Sequence, residues 1–131
     1  MKLFLSSSRQ DRSYADLLGQ NMRALGAEIM SDETLNAPGV NWDQAFRAAL
    51  EASDGFVLIM PEPGTARANN AFFEAGAARA LGKPIVAVMP TADAARAREL
   101  PSDMYGLAVF DGSSANPDAL AKAIVSTLEA A

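Results

Sequence analysis

The sequence predicts an α/β fold in which a parallel β-sheet lies between two layers of helices. Short apolar segments alternate with longer segments of helical periodicity along the whole chain. Strands separated by helices run parallel, and each right-handed crossover covers one face of the sheet. The 131 residues, of which 50% are apolar, are enough for one hydrophobic core, and no linker or repeat divides them. We therefore expect a single domain, residues 1–131.

The first part of the chain predicts a strand, a helix and a second strand. Lys2–Ser6 is a short apolar run, and helical periodicity begins at Asp11. The predicted inward face of this helix carries Tyr14, Leu17, Leu18, Met22 and Leu25. Gly26 is expected to end the helix, because glycine readily adopts the left-handed conformation that follows many helices. Ala27–Met30 then predicts the second strand, and Ser31–Asn41 a polar loop.

The middle of the chain predicts a second helix and a central strand. Asn41 and, three residues later, Gln44 have the spacing of a capping box that starts a helix. The predicted core residues of this helix are Phe46, Ala49 and Leu50. Gly55–Met60 is apolar throughout, which is typical of a parallel strand with helices on both faces.

The second half predicts a third helix, two strands and a final helix. The residues expected to turn the third helix towards the core are Phe73, Gly76, Ala77, Ala80 and Leu81, before Gly82 ends it. Pro84–Met89 and Gly106–Phe110 predict the fourth and fifth strands, while Thr91–Asp103 fits either a short helix or a loop. The final helix, capped by Asn116, carries the core residues Leu120, Ile124 and Leu128.

Five strands in this order predict the flavodoxin-like arrangement, with sheet order 2-1-3-4-5 and helices on both faces. Ligands of such sheets bind beyond the carboxyl ends of the strands, at the switch point between the first and third strands. The polar segment Ser6–Arg9 would therefore lie opposite Pro61–Asn70.

The composition argues against several classes of function. A net charge of −5 and the lack of a basic run disfavour nucleic acid as a partner. The sequence has no cysteine or histidine, no metal-ligand cluster, and no glycine-rich motif of dinucleotide oxidoreductases or P-loop ATPases. Catalysis would thus depend on carboxylates, hydroxyls or amides, with no metal. No apolar stretch approaches the length of a membrane span, so we expect a cytoplasmic protein without a membrane partner.

Glu74 is the strongest candidate for a catalytic residue. It follows Phe73 directly, so it is expected to point about 100° around the helix from the predicted core residues, towards the ligand crevice. A carboxylate in that position would reach a bound sugar. The alternative is a surface glutamate that the positive end of the helix dipole favours.

Other candidates are polar or aromatic residues near the expected crevice. Ser7, Ser8 and Arg9 offer hydroxyls, amides and a guanidinium to a pyrophosphate, or they form a solvated turn with a helix cap. Trp42 either stacks on an adenine or nicotinamide ring or packs the second helix onto the sheet edge. Asn70 either binds a ligand or caps the third helix.

Five segments have the order and spacing of a known family. They are LFLSSSRQD, SDETLNAPGVNWDQ, ASDGFVLIMPEP, FFEAGAARALGKPIVAVM and LPSDMYGLAVFDG. The first is similar to the FISYSxxD box, and the second to the D-x-x-L-x-x-G-x-x-W loop, of the Toll/interleukin-1 receptor (TIR) domain. Together they resemble a bacterial TIR domain across nearly the whole chain.

The resemblance implies an enzyme that cleaves NAD between nicotinamide and ribose, with a linear or a cyclic product, NAD as the substrate and no further cofactor. The family's catalytic glutamate lies on the third helix, at the position that matches Glu74. Ser7, Ser8 and Arg9 would line the ribose or phosphate side, and Trp42 would lie near the stacking position. Self-association, or contact with other TIR domains, is the partnership that the family implies.

Two alternatives remain open. Asn70 stands where many active members have a tryptophan, one turn before the glutamate, and this departure leaves open a non-enzymatic TIR module that binds partner proteins. The EPGT segment and the FFEAGAARALGKP segment also look like a nucleoside 2-deoxyribosyltransferase. In that family the Gly-Thr pair stands closer to the glutamate than Gly64 and Thr65 stand to Glu74.

Overall fold

A computed structural model describes residues 1–31, 35, 39, 41–61, 66–90, 108–112 and 116–131, with the backbone alone for Arg9 and residues 66–70. The strands are β1 (Lys2–Ser6), β2 (Glu28–Met30), β3 (Gly55–Ile59), β4 (Ile85–Met89) and β5 (Ala108–Asp111). The described helices are α1 (Arg12–Ala24), α2 (Trp42–Ala52), α3 (Ala66–Ala80) and α4 (Pro117–Glu129). A short 3₁₀ turn, Arg9–Asp11, precedes α1.

The five strands form one parallel sheet with the order β2-β1-β3-β4-β5, which confirms the predicted flavodoxin-like arrangement. β1 and β3 are adjacent at the centre, with Phe4 opposite Phe56 and Ser6 opposite Leu58. The chain therefore reverses its direction of winding between these two strands, and their carboxyl ends flank the switch point. All five residues of β3 are buried, as its unbroken apolar sequence predicts.

Two apolar layers cover opposite faces of the sheet. Leu3 and Leu5 face the layer that contains α1 and α4, whereas Phe4 faces the layer that contains α2 and α3. This division follows from the alternation of side chains along a strand. On the α2/α3 side the Phe4 ring stacks on Phe56 and meets Phe46 edge to face, each with ring centroids 5.5 Å apart. These rings join β1, β3 and α2 into one packed unit.

Local signals define four of the helix ends as predicted. Gly26 and Gly82 have φ values of +93° and +73°, in the left-handed region that glycine adopts without strain. The Asn41 side chain accepts a hydrogen bond from the Gln44 amide at 3.2 Å, and Asn116 caps α4 by accepting one from the Asp118 amide at 2.9 Å. The predicted core residues of α2 and α4 are all buried.

The predicted inward face of α1 is partly wrong. Leu17 is 50% exposed and Leu25 is 38% exposed, while the small residues Ala15 and Gly19 are buried in their place. Gly19 lies close to the sheet, because a Cβ built there would be 3.7 Å from a methyl group of Leu5. Small side chains at this contact let the helix backbone approach the strands, which directs larger neighbours outwards.

The predicted inward face of α3 is also partly wrong, although Ala77 packs against the core as predicted. Phe73 is 66% exposed and Leu81 is 41% exposed, whereas Ala71, Ala75 and Ala78 are the apolar residues that pack against the sheet. The spacing of the large apolar side chains predicted one face of the helix as the inward face. The helix instead turns inwards the face that carries the alanines, because these small residues allow close packing against the sheet. Thr91–Asp103 lies outside the described residues. Among the described helices, none is long and apolar enough to cross a membrane.

Candidate active site at the carboxyl edge of the sheet

Glu74 lies on the inward face of α3 and is only 3% exposed. Its neighbours on this face are Ala71, Ala75 and Ala78, which pack in the α2/α3 layer. The prediction that Glu74 points away from the core residues is therefore wrong, as is the alternative of a surface glutamate. Burial of an ionised carboxylate is unfavourable unless polar groups compensate for the lost water. Glu74 is buried among alanines, so it does not serve to make the protein surface polar. This burial makes Glu74 a candidate for a functional residue.

Ser8 and Asp11 form a closed turn after β1. The Ser8 hydroxyl donates to a carboxylate oxygen of Asp11 at 3.1 Å, and the Asp11 amide donates to the Ser8 carbonyl at 3.1 Å. Both residues are 8% exposed. These bonds form the 3₁₀ turn before α1. The interpretation of this segment as a solvated turn with a helix cap is wrong, because both residues are buried and Asp11, which precedes α1, makes no side-chain cap hydrogen bond. Ser7 is half-buried beside them, and the Arg9 side chain lies outside the described residues, so their contacts with a ligand stay predictions.

Trp42 is the first residue of α2 and is half-buried. Its ring stacks on Phe46, one helical turn later, with centroids 4.9 Å apart and planes 10° from parallel. The tryptophan thus packs against the α2/α3 layer, as the structural alternative predicts. Stacking of the ring on a ligand stays a prediction.

Asn70 lies inside α3, because the helix begins at Ala66. The interpretation of Asn70 as a helix cap is therefore wrong, since a cap precedes the first helical residue. The sequence between Pro61 and Asn70 has no periodic apolar residues to mark where the helix starts. The Asn70 side chain is outside the described part, so its contact with a ligand remains a prediction.

Tyr14, predicted only as a residue of the inward face of α1, also makes a hydrogen bond between elements. Its hydroxyl donates to the Gly112 carbonyl at 3.3 Å, which joins α1 to the residue that follows β5. Burial raises the pKa of Tyr14 above its ordinary value, and the charges of Asp111 and Asp11 raise it further. A Cβ at Gly112 would collide with the Tyr14 hydroxyl, so this contact depends on glycine. The signal was the Asp-Gly pair that directly follows the predicted fifth strand, Gly106–Phe110.

The chemistry of the described residues is that of carboxylates and hydroxyls. Within these residues, no group of three or more histidine, cysteine, aspartate or glutamate side chains could hold a metal ion. The structure brings the buried Glu74 into the layer that faces Ser6 of β1, while Ser8 and Asp11 close the turn just beyond that strand. Such an arrangement can orient a sugar and stabilise positive charge, but it supplies no thiolate or imidazole.

Comparisons with known proteins agree with this architecture. The sequence matches the TIR domain family over residues 3–125. The structure is similar to that of a Clostridium botulinum CMP N-glycosidase, BcmB, with a TM-score of 0.64 and 16% identity over 97% of this chain and 99% of that chain. It is also similar to a structure of the RPS4 and RRS1 TIR domain heterodimer, with a TM-score of 0.56 and 14% identity over 99% of this chain and 97% of that chain.

At these identities the structural likeness shows a shared fold. A comparison with curated protein sequences gives no significant match. The family match extends from β1 into α4, and it includes every strand of the sheet. The chain therefore belongs to the TIR domain family.

Proposed function

We propose that this TIR domain cleaves the bond between nicotinamide and ribose in NAD, with Glu74 as the catalytic carboxylate. The observation that carries this proposal is the burial of Glu74, at 3% exposure, on the helix face that packs against the sheet. A carboxyl group removed from bulk water at a contact between a helix and a sheet is typical of groups retained for chemistry. Its helix belongs to the layer that covers the carboxyl end of β1, where this fold class binds ligands.

The reaction fits the side chains that the sequence provides. Cleavage of the N-glycosidic bond develops positive charge on the ribose, and a nearby carboxylate stabilises that charge. Nicotinamide in NAD is already a cation, so it leaves as a neutral molecule and requires no proton from an acid. A chain without histidine or cysteine is therefore compatible with this chemistry.

A nucleoside monophosphate such as CMP is the second candidate substrate. The structural likeness to a CMP N-glycosidase over 97% of this chain favours it, because both substrates contain an N-glycosidic bond to ribose. Cytosine differs from nicotinamide as a leaving group, since the base in CMP is neutral and leaves more readily when protonated. Turnover of CMP would therefore require a proton donor in addition to the carboxylate.

We further propose that self-association accompanies activity. The heterodimer of two TIR domains with a similar fold supports contacts of this kind. The isolated chain keeps Glu74 covered, so a substrate reaches the carboxylate only after a local opening. Contacts between copies, or the binding of substrate itself, would provide the free energy for that opening.

The decisive experiment compares nicotinamide release from NAD by the wild type, Glu74→Gln and Glu129→Gln over a range of protein concentrations. Glu129→Gln is the matched control, because this exposed glutamate lies at the end of α4. We expect Glu74→Gln to lower the rate by about a hundred- to a thousandfold, the usual effect of losing one electrostatic contact to a transition state. The control should retain the wild-type rate.

Parallel reactions contain CMP, or a mixture of nucleosides and free bases. Cytosine release without nicotinamide release would replace NAD by CMP as the substrate. Exchange of deoxyribose between bases would indicate a transferase instead. A folded, concentrated wild type that cleaves neither nucleotide would contradict an enzymatic role and favour a TIR module that binds partner proteins.

A further inference from the structure

Ser6 is a buried hydroxyl at the end of an otherwise apolar strand. It is 1% exposed, and the three residues before it, Leu3, Phe4 and Leu5, are buried and apolar. Among the residues that the structure describes, no side-chain hydrogen bond involves the Ser6 hydroxyl. A hydroxyl gains nothing from apolar packing that a methyl group would not gain, so packing alone does not account for serine at this position.

The register of the sheet assigns Ser6 to the same layer as Glu74. Ser6 is opposite Leu58, which faces the α2/α3 layer, and Phe4, two residues earlier, faces it as well. Alternation along the strand therefore turns the Ser6 side chain towards the α2/α3 layer. In the described part of the chain the buried polar residues are Ser6, Ser8, Asp11, Ser53 and Glu74. Ser8 bonds to Asp11, and Ser53 bonds to the Leu50 carbonyl at 2.7 Å.

Ser6 and Glu74 are chemically complementary. A serine hydroxyl can donate one hydrogen bond, and an ionised carboxylate can only accept them. Both side chains belong to the α2/α3 layer, and one can donate where the other can accept. If the function proposed above holds, we infer that Ser6 is a positioning residue for Glu74. When substrate is bound, the Ser6 hydroxyl donates to the Glu74 carboxylate and holds it against the ribose. Hydrogen bonds of this kind often tighten only in the substrate complex.

The test compares Ser6→Ala with Ser6→Thr, using NAD and CMP turnover and chemical denaturation. Ser6→Ala should lower kcat by about ten- to a hundredfold, the effect of one hydrogen bond to a charged group. KM should change little, because the hydroxyl acts through Glu74. The denaturation midpoint of Ser6→Ala should stay the same or rise, because the hydroxyl has no hydrogen bond in the free protein to lose. Ser6→Thr keeps the hydroxyl on a residue suited to strands and should recover most of kcat.

Ser53→Ala provides the matched control, because Ser53 is a buried serine whose hydroxyl already has a structural partner. It should lower the denaturation midpoint and leave kcat unchanged. If Ser6→Ala behaves like Ser53→Ala, or if Ser6→Ala keeps the wild-type kcat, the positioning role is overturned while the proposed function stands. A low kcat in a folded Ser6→Thr would also overturn it. If the wild type cleaves neither nucleotide, the proposed function fails first and this role fails with it.

Discussion

The two helical layers of this domain bury different kinds of residue. In the described part of the chain, α4 buries four apolar residues, Leu120, Ala121, Ile124 and Leu128. The corresponding face of α3 buries three alanines and Glu74. Both faces exclude water, but only the second buries a carboxyl group at the sheet. The difference indicates that the α1/α4 layer mainly stabilises the fold, whereas the α2/α3 layer combines packing with a reactive group.

The polar groups near the two layers differ in the same way. Tyr14 packs against the α1/α4 layer and donates to the carbonyl of Gly112, so its hydroxyl has a structural partner. Ser6 faces the α2/α3 layer, and among the described residues its hydroxyl has no side-chain hydrogen bond. A satisfied polar group strengthens a layer, whereas a buried group without a bond weakens it. Substitutions in the two layers should consequently separate stability from activity.

The largest stability effect should come from Ile124→Ala in the α1/α4 layer. Ile124 is fully buried, and removing its side chain leaves a cavity that usually lowers the free energy of unfolding by about 2–5 kcal/mol. Urea denaturation measures this loss, with Ser126→Ala on the exposed side of the same helix as the control. Turnover per folded molecule should stay at the wild-type value. A folded Ile124→Ala protein without activity would contradict the division between the layers.

A second substitution tests the contribution of the contact between α1 and the end of β5 to the stability of the α1/α4 layer. Gly112→Ala would bring a methyl group against the Tyr14 hydroxyl and to 3.0 Å from Val88, so we expect unfolding to become easier by about 1–3 kcal/mol. Denaturation of the single and double variants tests the cause. Combined with Tyr14→Phe, the substitution should be less harmful than the sum of the two single changes, because the colliding oxygen is absent. Strict additivity would show that the collision is relieved in another way.

The features that the sequence predicts well are those set by local backbone chemistry. Gly26 and Gly82 end helices because glycine tolerates positive φ, and Asn41 and Asn116 start helices because their side chains accept from free amides. The alternation of strands and helices likewise predicts a parallel sheet, since parallel strands need crossovers. Each of these signals depends on neighbours in sequence, so one chain is enough to interpret it.

The side-chain environment of α3 could not be predicted in the same way. Phe73 is large and apolar, so periodicity assigned it to the core, yet the helix packs through Ala71, Ala75 and Ala78. Which face an alanine-rich helix turns inwards depends on how closely it approaches the sheet, a property of the whole packed layer. Glu74 was consequently assigned to the correct helix but to the wrong face. Its catalytic role remains a proposal that the nicotinamide assay tests.

The smallest predicted effect concerns the Tyr14 hydroxyl and its dependence on pH. Burial raises the pKa of this phenol above its ordinary value of 10.0, and the negative charges of Asp111 and Asp11 act in the same direction. Because the folded-state pKa is the higher one, the contribution to stability is fully present below pH 10. It is lost as the pH rises from there through the folded-state pKa.

Tyr14→Phe should therefore lower the free energy of unfolding by about 1 kcal/mol at neutral pH, the usual value of one hydrogen bond. The difference between the two proteins should shrink above pH 10, because only the wild type has an ionisable phenol at this position. Urea midpoints at a series of pH values measure it, and all other titrating groups are common to both proteins. A difference that stays constant through the alkaline range would show that Tyr14 contributes by packing alone. The polar group at the rim of the α1/α4 layer would then have no measurable role as a hydrogen-bond donor.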